Sequence, residues 1–234
     1  MLFLIMFKKI IFLFKSKASK VIILQFLFQK ILNLFVKKKI KFYKKNFKDL
    51  ISNKKISSEF FSANAYNFLV HLSSLPSNFR YLEIGSFEGG SAIFIANKFQ
   101  NSEIYCVDNW IKTEDGYSNL DFNDVEKNFD YNIKNYKNIY KIKNSSDKFF
   151  KNNFLSYDAI YVDGYHKADQ VYKDCLNSWK HLKTNGIMIC DDYIWDHYTD
   201  ISNNPCYAIN KFLKVIKNYR VLKVSNTQIF LKKT

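Results

Sequence analysis

Short apolar runs rich in β-branched and aromatic residues punctuate the chain at Arg80–Ile84, Glu103–Val107, Ile139–Ile142, Tyr157–Val162 and Gly186–Cys190, and each reads as a strand. Helical periodicity fills the gaps, at Ser91–Phe99, Asp124–Tyr136 and Lys167–Leu182. In the last of these, Ala168, Val171, Cys175, Trp179 and Leu182 recur at three- and four-residue steps and share one face. Upstream, Ser57 or Ser58 is placed to cap a helix running to Leu75, which Pro76 ends. Strands separated by crossover helices imply right-handed βαβ units and a parallel sheet covered on both faces. The C-terminus breaks the alternation: Tyr219–Val224, the turn Ser225-Asn226-Thr227 and Gln228–Leu231 read as an antiparallel hairpin. The predicted fold class is therefore α/β, a doubly wound, mostly parallel seven-stranded sheet finishing in that hairpin.

The first 55 residues follow a different pattern. From Val21 to Val36, Gln25, Gln29 and Asn33 recur every fourth residue with Lys30 beside them, leaving a broad face of Ile, Leu and Phe. This spacing predicts an amphipathic helix with a narrow polar stripe. A spanning helix fits poorly, because lysines interrupt every apolar run before about 18 residues. A cleaved signal peptide fits poorly too: the lysines follow the first apolar run, and no small-x-small cleavage site comes after it. We therefore divide the chain into a basic amphipathic helical arm, residues 1–55, and an α/β domain, residues 56–234.

Charge sharpens that division. Of the formal net charge of +15, residues 1–55 supply +14, from 15 lysines against the single acid Asp49, while the remaining 21 basic and 20 acidic residues nearly cancel. A basic arm on a neutral domain suits an anionic membrane surface, through residues 1–50, better than a nucleic acid, which would need a charged track across the domain. The other reading of the apolar helix is packing on the domain or on a second copy of the chain, making a homo-oligomer; part of the lysine excess is also background composition. A hydrophobic fraction of 47% allows a large core within 234 residues. The four cysteines form no C-x-x-C pair, and Cys106 and Cys190 sit inside strands, so a reduced, cytoplasmic protein, peripheral on the inner face of a membrane, is expected.

Chemistry gathers where strands end. Tyr81-Leu82-Glu83-Ile84-Gly85-Ser86-Phe87-Glu88-Gly89-Gly90-Ser91 is a strand, a glycine turn and a helix start. Gly85 permits the sharp turn, and Gly89 and Gly90 let backbone approach a ligand closely. The pattern E-x-G-x-x-x-G is not the G-x-G-x-x-G that cradles a pyrophosphate; a carboxylate at Glu83 suits a cationic ligand group instead. The second strand ends in Asp108, an acceptor for a pair of ribose hydroxyls. The third leads into Asn144-Ser145-Ser146, where backbone and Ser146 are placed to meet a purine. Over about residues 60–233 these pieces resemble the class I S-adenosylmethionine-dependent methyltransferases. The resemblance implies S-adenosylmethionine as cofactor, held by Glu83, Gly85, Ser86, Gly89, Asp108 and Ser146.

Two further strands end in Asp163-Gly164-Tyr165-His166 and in Asp191-Asp192-Tyr193. Neighbouring strands would bring the three aspartates together, where they repel one another unless a cation neutralises them or some are protonated. Oxygen ligands suit Mg²⁺ or Ca²⁺. His166 is then placed to accept a hydroxyl proton. The run Asp163 to Asp174, followed by Leu182 to Tyr193, resembles the family that includes macrolide-sugar O-methyltransferases and cephalosporin-hydroxylase-like proteins. That resemblance implies Mg²⁺ on Asp163, Asp191 and Asp192, His166 as catalytic base, and O-methylation of a sugar or other small-molecule hydroxyl. Asn185 departs from the family, which has glycine before Gly186; Asn tolerates positive φ there. A cofactor-binding scaffold without turnover and a nicotinamide-dependent reductase are the alternatives, the second disfavoured by the missing G-x-G-x-x-G and the terminal hairpin. Loops 110–123 and 193–205 are expected to cover the acceptor, with Trp110, Tyr117, Trp195, His197 and Tyr198 as stacking or lid groups.

Overall fold

The computed structural model describes residues 2–114 and 120–234, so Tyr117 lies outside the described residues. Strands β1 (Arg80–Ile84), β2 (Glu103–Asp108), β3 (Ile139–Lys143), β4 (Tyr157–Val162), β5 (Leu182–Cys190), β6 (Tyr219–Val224) and β7 (Ile229–Lys233) form one sheet in the order β3-β2-β1-β4-β5-β7-β6. The first five run parallel; β7 is antiparallel to both β5 and β6. This is the predicted doubly wound α/β architecture with its closing hairpin. The strand order reverses between β1 and β4, and a parallel sheet opens its ligand crevice at the strand ends beside such a reversal.

Alternation along each strand builds two cores. On one face Leu82, Ile160 and Met188 pack against α8 (Ala168–His181) and α9 (Pro205–Val215). On the other, Tyr81, Cys106 and Tyr161 pack against α4 (Ala65–Leu72), α5 (Gly90–Lys98) and α6 (Phe122–Ile133). The short α7 (Ser146–Asn152) follows β3, capped by the Ser145 hydroxyl, which accepts from Lys148 N. Asn185 sits at φ 65°, as the substitution for glycine requires.

The arm forms three helices, α1 (Leu2–Lys15), α2 (Lys20–Phe35) and α3 (Lys37–Leu50). They are layers of the same body: Leu13, Ile22 and Phe26 join the first core, and Phe47 and Ile51 the second. The helix expected from Ser57 to Leu75 is shorter, beginning only at Ala65. Side-chain acceptors claim the preceding amides, Glu88 taking Ser57 N and Glu59 taking Ser62 N, and hold that stretch in turns.

His71 on α4 lies against Phe230, its ring centroid 4.8 Å away. Burial, then the positive Lys223, lowers its pKa from 6.5 to about 4. The folded state thus holds a neutral imidazole that the unfolded chain protonates near 6.5. Its contribution is intact above that pH and is lost as pH falls towards 4. Substituting His71→Gln should flatten this loss, of about 2–3 kcal/mol, in a plot of Tm against pH. An equally steep acid limb in the variant would show that other groups carry it.

Candidate active site

A cavity of about 500 Å³ opens at the C-terminal ends of β1 to β5. Its floor is the turn after β1. Gly85 takes φ 87° and donates its N–H to Val107 O at 2.8 Å, tying the turn to β2. Its bare Cα presses on the backbone after β4, where an added Cβ would lie 2.0 Å from Asp163 O. Gly89, at φ 82°, starts α5 facing Phe129 and stands outside the cavity lining. Gly90 and Ser86 line it, and Ser86 is buried beside Glu83 and Cys106.

Asp108 braces the turn: one carboxylate oxygen accepts from Ser86 N and Phe87 N at 2.9 and 3.0 Å, the other from Trp110 N at 2.8 Å. Burial raises its pKa, and these backbone donors offset part of that rise. The oxygen that accepts from Ser86 and Phe87 has both lone pairs engaged, the one that accepts from Trp110 keeps acceptor capacity, and the residue still lines the cavity. Glu83 is placed differently from the expectation of a ligand-facing carboxylate. It is fully buried beneath the turn, outside the lining, where Ser91 and Tyr81 donate to one oxygen at 2.7 and 3.2 Å. Burial pushes its pKa up to about 7, and the Ser91, Ser86, Cys106 and Tyr81 side chains offset part of that rise. Even alternation along β1 explains this: residue 83 points into the second core beside Tyr81, not out of the strand end.

The purine side expected at Ser146 is framed by Gln170, whose amide lies within 3.2 Å of Ser146 Oγ and 3.1 Å of Asp174 Oδ1. Burial raises Asp174 to about 6. Neither Gln170 nor Asp174 was singled out from sequence, although both lie on the α8 face that carries the Asp163 to Asp174 run.

Across the cavity the acids separate into two groups. Asp163, His166 and Asp192 bring ligand atoms within 4.8 Å of one another, with His166 Nε2 2.9 Å from Asp192 Oδ2. Asp191, expected as the third oxygen ligand, lines the same cavity but stands outside this group, its oxygens engaged by other partners. Gln228 donates to its Oδ2 at 2.7 Å, Tyr161 contacts the same oxygen, and its Oδ1 accepts from Asp192 N. Tyr161 also reaches Asp163 Oδ2 at 2.7 Å. One hydroxyl proton cannot serve two carboxylates, so the second contact requires a proton on an acid. The electrostatics agree: burial and then the neighbouring acids raise Asp163 well above the usual aspartate range and Asp191 to about 7. Tyr161 and Gln228 escaped the sequence reading; Tyr161, two residues before Asp163 on one strand face, carried a signal that alternation could have supplied.

Strain concentrates here. Phe87, Trp110 and Asp192 are non-glycine residues with φ between 47° and 53°, a conformation costing on the order of 1 kcal/mol each. The expected lid residues fall elsewhere. Trp110 is buried, its Nε1 donating to Phe87 O and its ring packed on Phe129. Trp195 lies 4.8 Å from His166, with His197 stacked on it at 4.4 Å, and neither lines the cavity. Ile111, Thr113 and Phe122 do line it, from the first expected loop, opposite Phe60 and Asn64 from the turns before α4.

A parallel sheet of this order, its reversed terminal hairpin, and a glycine turn braced by the acid ending β2 make up the fold of the class I S-adenosylmethionine-dependent methyltransferases. The family model of the methyltransferase domain matches residues 82–193. Among solved structures, MycE methyltransferase of the mycinamycin biosynthetic pathway, in complex with Mg, S-adenosylhomocysteine and mycinamycin VI, is 17% identical, with a TM-score of 0.55 over 80% of this chain and 54% of that one. An O-methyltransferase from Bacillus cereus in complex with S-adenosylhomocysteine is 13% identical, with a TM-score of 0.55 over 87% and 97%. TomG from Streptomyces achromogenes, an O-methyltransferase of tomaymycin synthesis, is 12% identical, with a TM-score of 0.55 over 82% and 89%. At such identities the likeness is one of fold. No curated protein matches the chain in sequence.

Proposed function

We propose that the chain methylates an oxygen of a small-molecule or glycan hydroxyl with metal assistance. The observation that carries this reading is the Asp163–His166–Asp192 cluster, set on the same cavity as the glycine turn. S-adenosylmethionine, when bound, supplies the electrophilic methyl group. The residues fit it: Ser86 and Asp108 line the cavity at the glycine turn, the Asp108 oxygen that accepts from Trp110 retains acceptor capacity, and Ser146 lies at the third strand end. Glu83 supports that ligand indirectly, by anchoring α5 through Ser91.

The crowded acids fit a divalent cation, which would relieve the repulsion that, after burial, raises their pKa values. Asp163 and Asp192 would hold Mg²⁺, with Asp191 orienting Asp163 through Tyr161. Mg²⁺, when bound, supplies a Lewis acid for a substrate oxygen. His166 accepts the hydroxyl proton, and the adjacent Asp192 stabilises the imidazolium so formed. Phe60, Ile111 and Phe122 give the acceptor an apolar wall, suited to the carbon face of a sugar or an aromatic ring.

Methyl transfer from labelled cofactor to glycans, lipid-linked sugars and catechols, with and without Mg²⁺, tests the reading. Activity should fall at least about tenfold in EDTA and return with Mg²⁺. Undiminished turnover in EDTA would remove the metal, and no affinity for S-adenosylhomocysteine would remove the function.

A further inference from the structure

Helix α2 is mounted with its polar stripe inward. Gln25 donates to Val221 O, and Lys30 to Asn226. The amide oxygens of Gln29 and Asn33 both accept from Lys223, a cation only 7% exposed that burial would otherwise leave poorly solvated. The stripe therefore serves β6, and only Ile22, Ile23 and Phe26 of the helix are buried. The rest of the apolar face looks outward: Leu24 is 65% exposed, Phe28 57%, Ile31 55% and Phe35 82%. On α1, Phe7 and Phe14 are likewise 51% and 59% exposed. A surface helix of an ordinary globular domain has the opposite polarity, and exposed apolar surface on this scale marks an interaction site.

We propose that this face of α1 and α2 is a docking surface for an anionic lipid bilayer, lying in the interface plane. Charge selects the partner. Lys8, Lys15, Lys20, Lys37, Lys38 and Lys39 are exposed on the same helices and the start of α3, and the first 55 residues carry +14. Long lysine stems can lie along the apolar boundary with their ammonium groups among lipid phosphates. A second copy of the chain would instead set +14 against +14, an unfavourable juxtaposition for a self-complementary interface. No helix among the described residues is long and apolar enough to cross a membrane. The sixteen residues of α2 suit an interfacial helix, buried on one side in lipid and held on the other by β6.

Co-sedimentation of the full chain with vesicles decides the matter and is independent of methyl transfer. Phosphatidylcholine vesicles containing phosphatidylglycerol should pellet the protein, pure phosphatidylcholine at least about tenfold less, and added salt should release it. The variant Leu24→Gln/Phe28→Gln/Ile31→Gln alters only outward positions. It should lose binding to the anionic vesicles at least about tenfold while keeping its affinity for S-adenosylhomocysteine, which reports an intact domain. Folded protein that ignores every vesicle, or a triple variant that binds them as well as the natural chain, overturns the proposal. So does a stable dimer by light scattering that the triple variant dissolves in the absence of any vesicle binding, since the face would then belong to a second copy.

Discussion

Replacing Asp163 by asparagine is expected to lower kcat/KM for methyl transfer by about 10²–10³-fold while making the metal-free protein more stable. The two effects share one cause. The carboxyl is buried beside Asp191 and Asp192, and its desolvation, followed by those neighbours, holds its pKa well above the usual aspartate range. An acid with a raised folded-state pKa contributes fully below its unfolded value and loses that contribution as pH rises through the folded value. At neutral pH in EDTA the natural chain therefore carries a penalty that asparagine, which still accepts from Tyr161, avoids. A gain of about 1–2 kcal/mol would raise Tm by roughly 2–8 °C, shrinking towards zero as the pH approaches the ordinary aspartate range. S-adenosylhomocysteine affinity, measured by titration calorimetry, should change by less than about threefold, because the turn after β1 touches only the backbone of residue 163. An active variant, or one that loses stability together with cofactor affinity, would place Asp163 in the scaffold and not in the chemistry.

The sheet was legible because its strands are short, bounded and rich in β-branched residues: β1 and β4 fall on the predicted residues, and β2 and β3 differ by one. The terminal hairpin was legible from its turn residues. What pattern cannot convey is the direction in which a pattern faces. The stripe of Gln25, Gln29 and Asn33 was visible, but a buried lysine on a strand about 190 residues away decides that it turns inward. Asp191 illustrates the same limit. Its position at a strand end was plain, whereas Gln228, which withdraws it from the His166 cluster, comes from the antiparallel hairpin. Glu83 lies outside the cavity lining for a nearer reason: strand alternation assigns it to the core, and the motif alone suggested the cavity. The lost first turns of α4 follow from Glu88 and Glu59, acceptors that helix propensity does not register.

Gly85→Ala should be the most damaging single methyl group that can be added near the site. The new Cβ would stand 2.0 Å from Asp163 O, 2.6 Å from Asp163 C and 2.7 Å from Gly164 Cα, all backbone atoms that no rotamer change can move. The residue also sits at φ 87°, a region that penalises any L side chain. Relief would require β1 and the segment after β4 to part by about 1 Å or more, since a carbon cannot approach an oxygen much inside 3 Å. That seam is where the cofactor turn and the acidic cluster meet, joined by Asp163 N donating to Ile84 O at 2.8 Å. A destabilisation of about 2–4 kcal/mol is expected, lowering Tm by roughly 4–16 °C, with more than about tenfold loss of S-adenosylhomocysteine affinity in protein that remains folded. Gly164→Ala supplies the control on the opposite side of the seam. Its Cβ would meet Ile84 Cγ2 at 3.4 Å and Asp174 Oδ2 at 3.7 Å, ordinary side-chain contacts, so stability should change by less than about 1 kcal/mol. Equal effects of the two substitutions, read by thermal melts and calorimetry side by side, would show that the close approach of β1 to the Asp163 backbone does not govern the site.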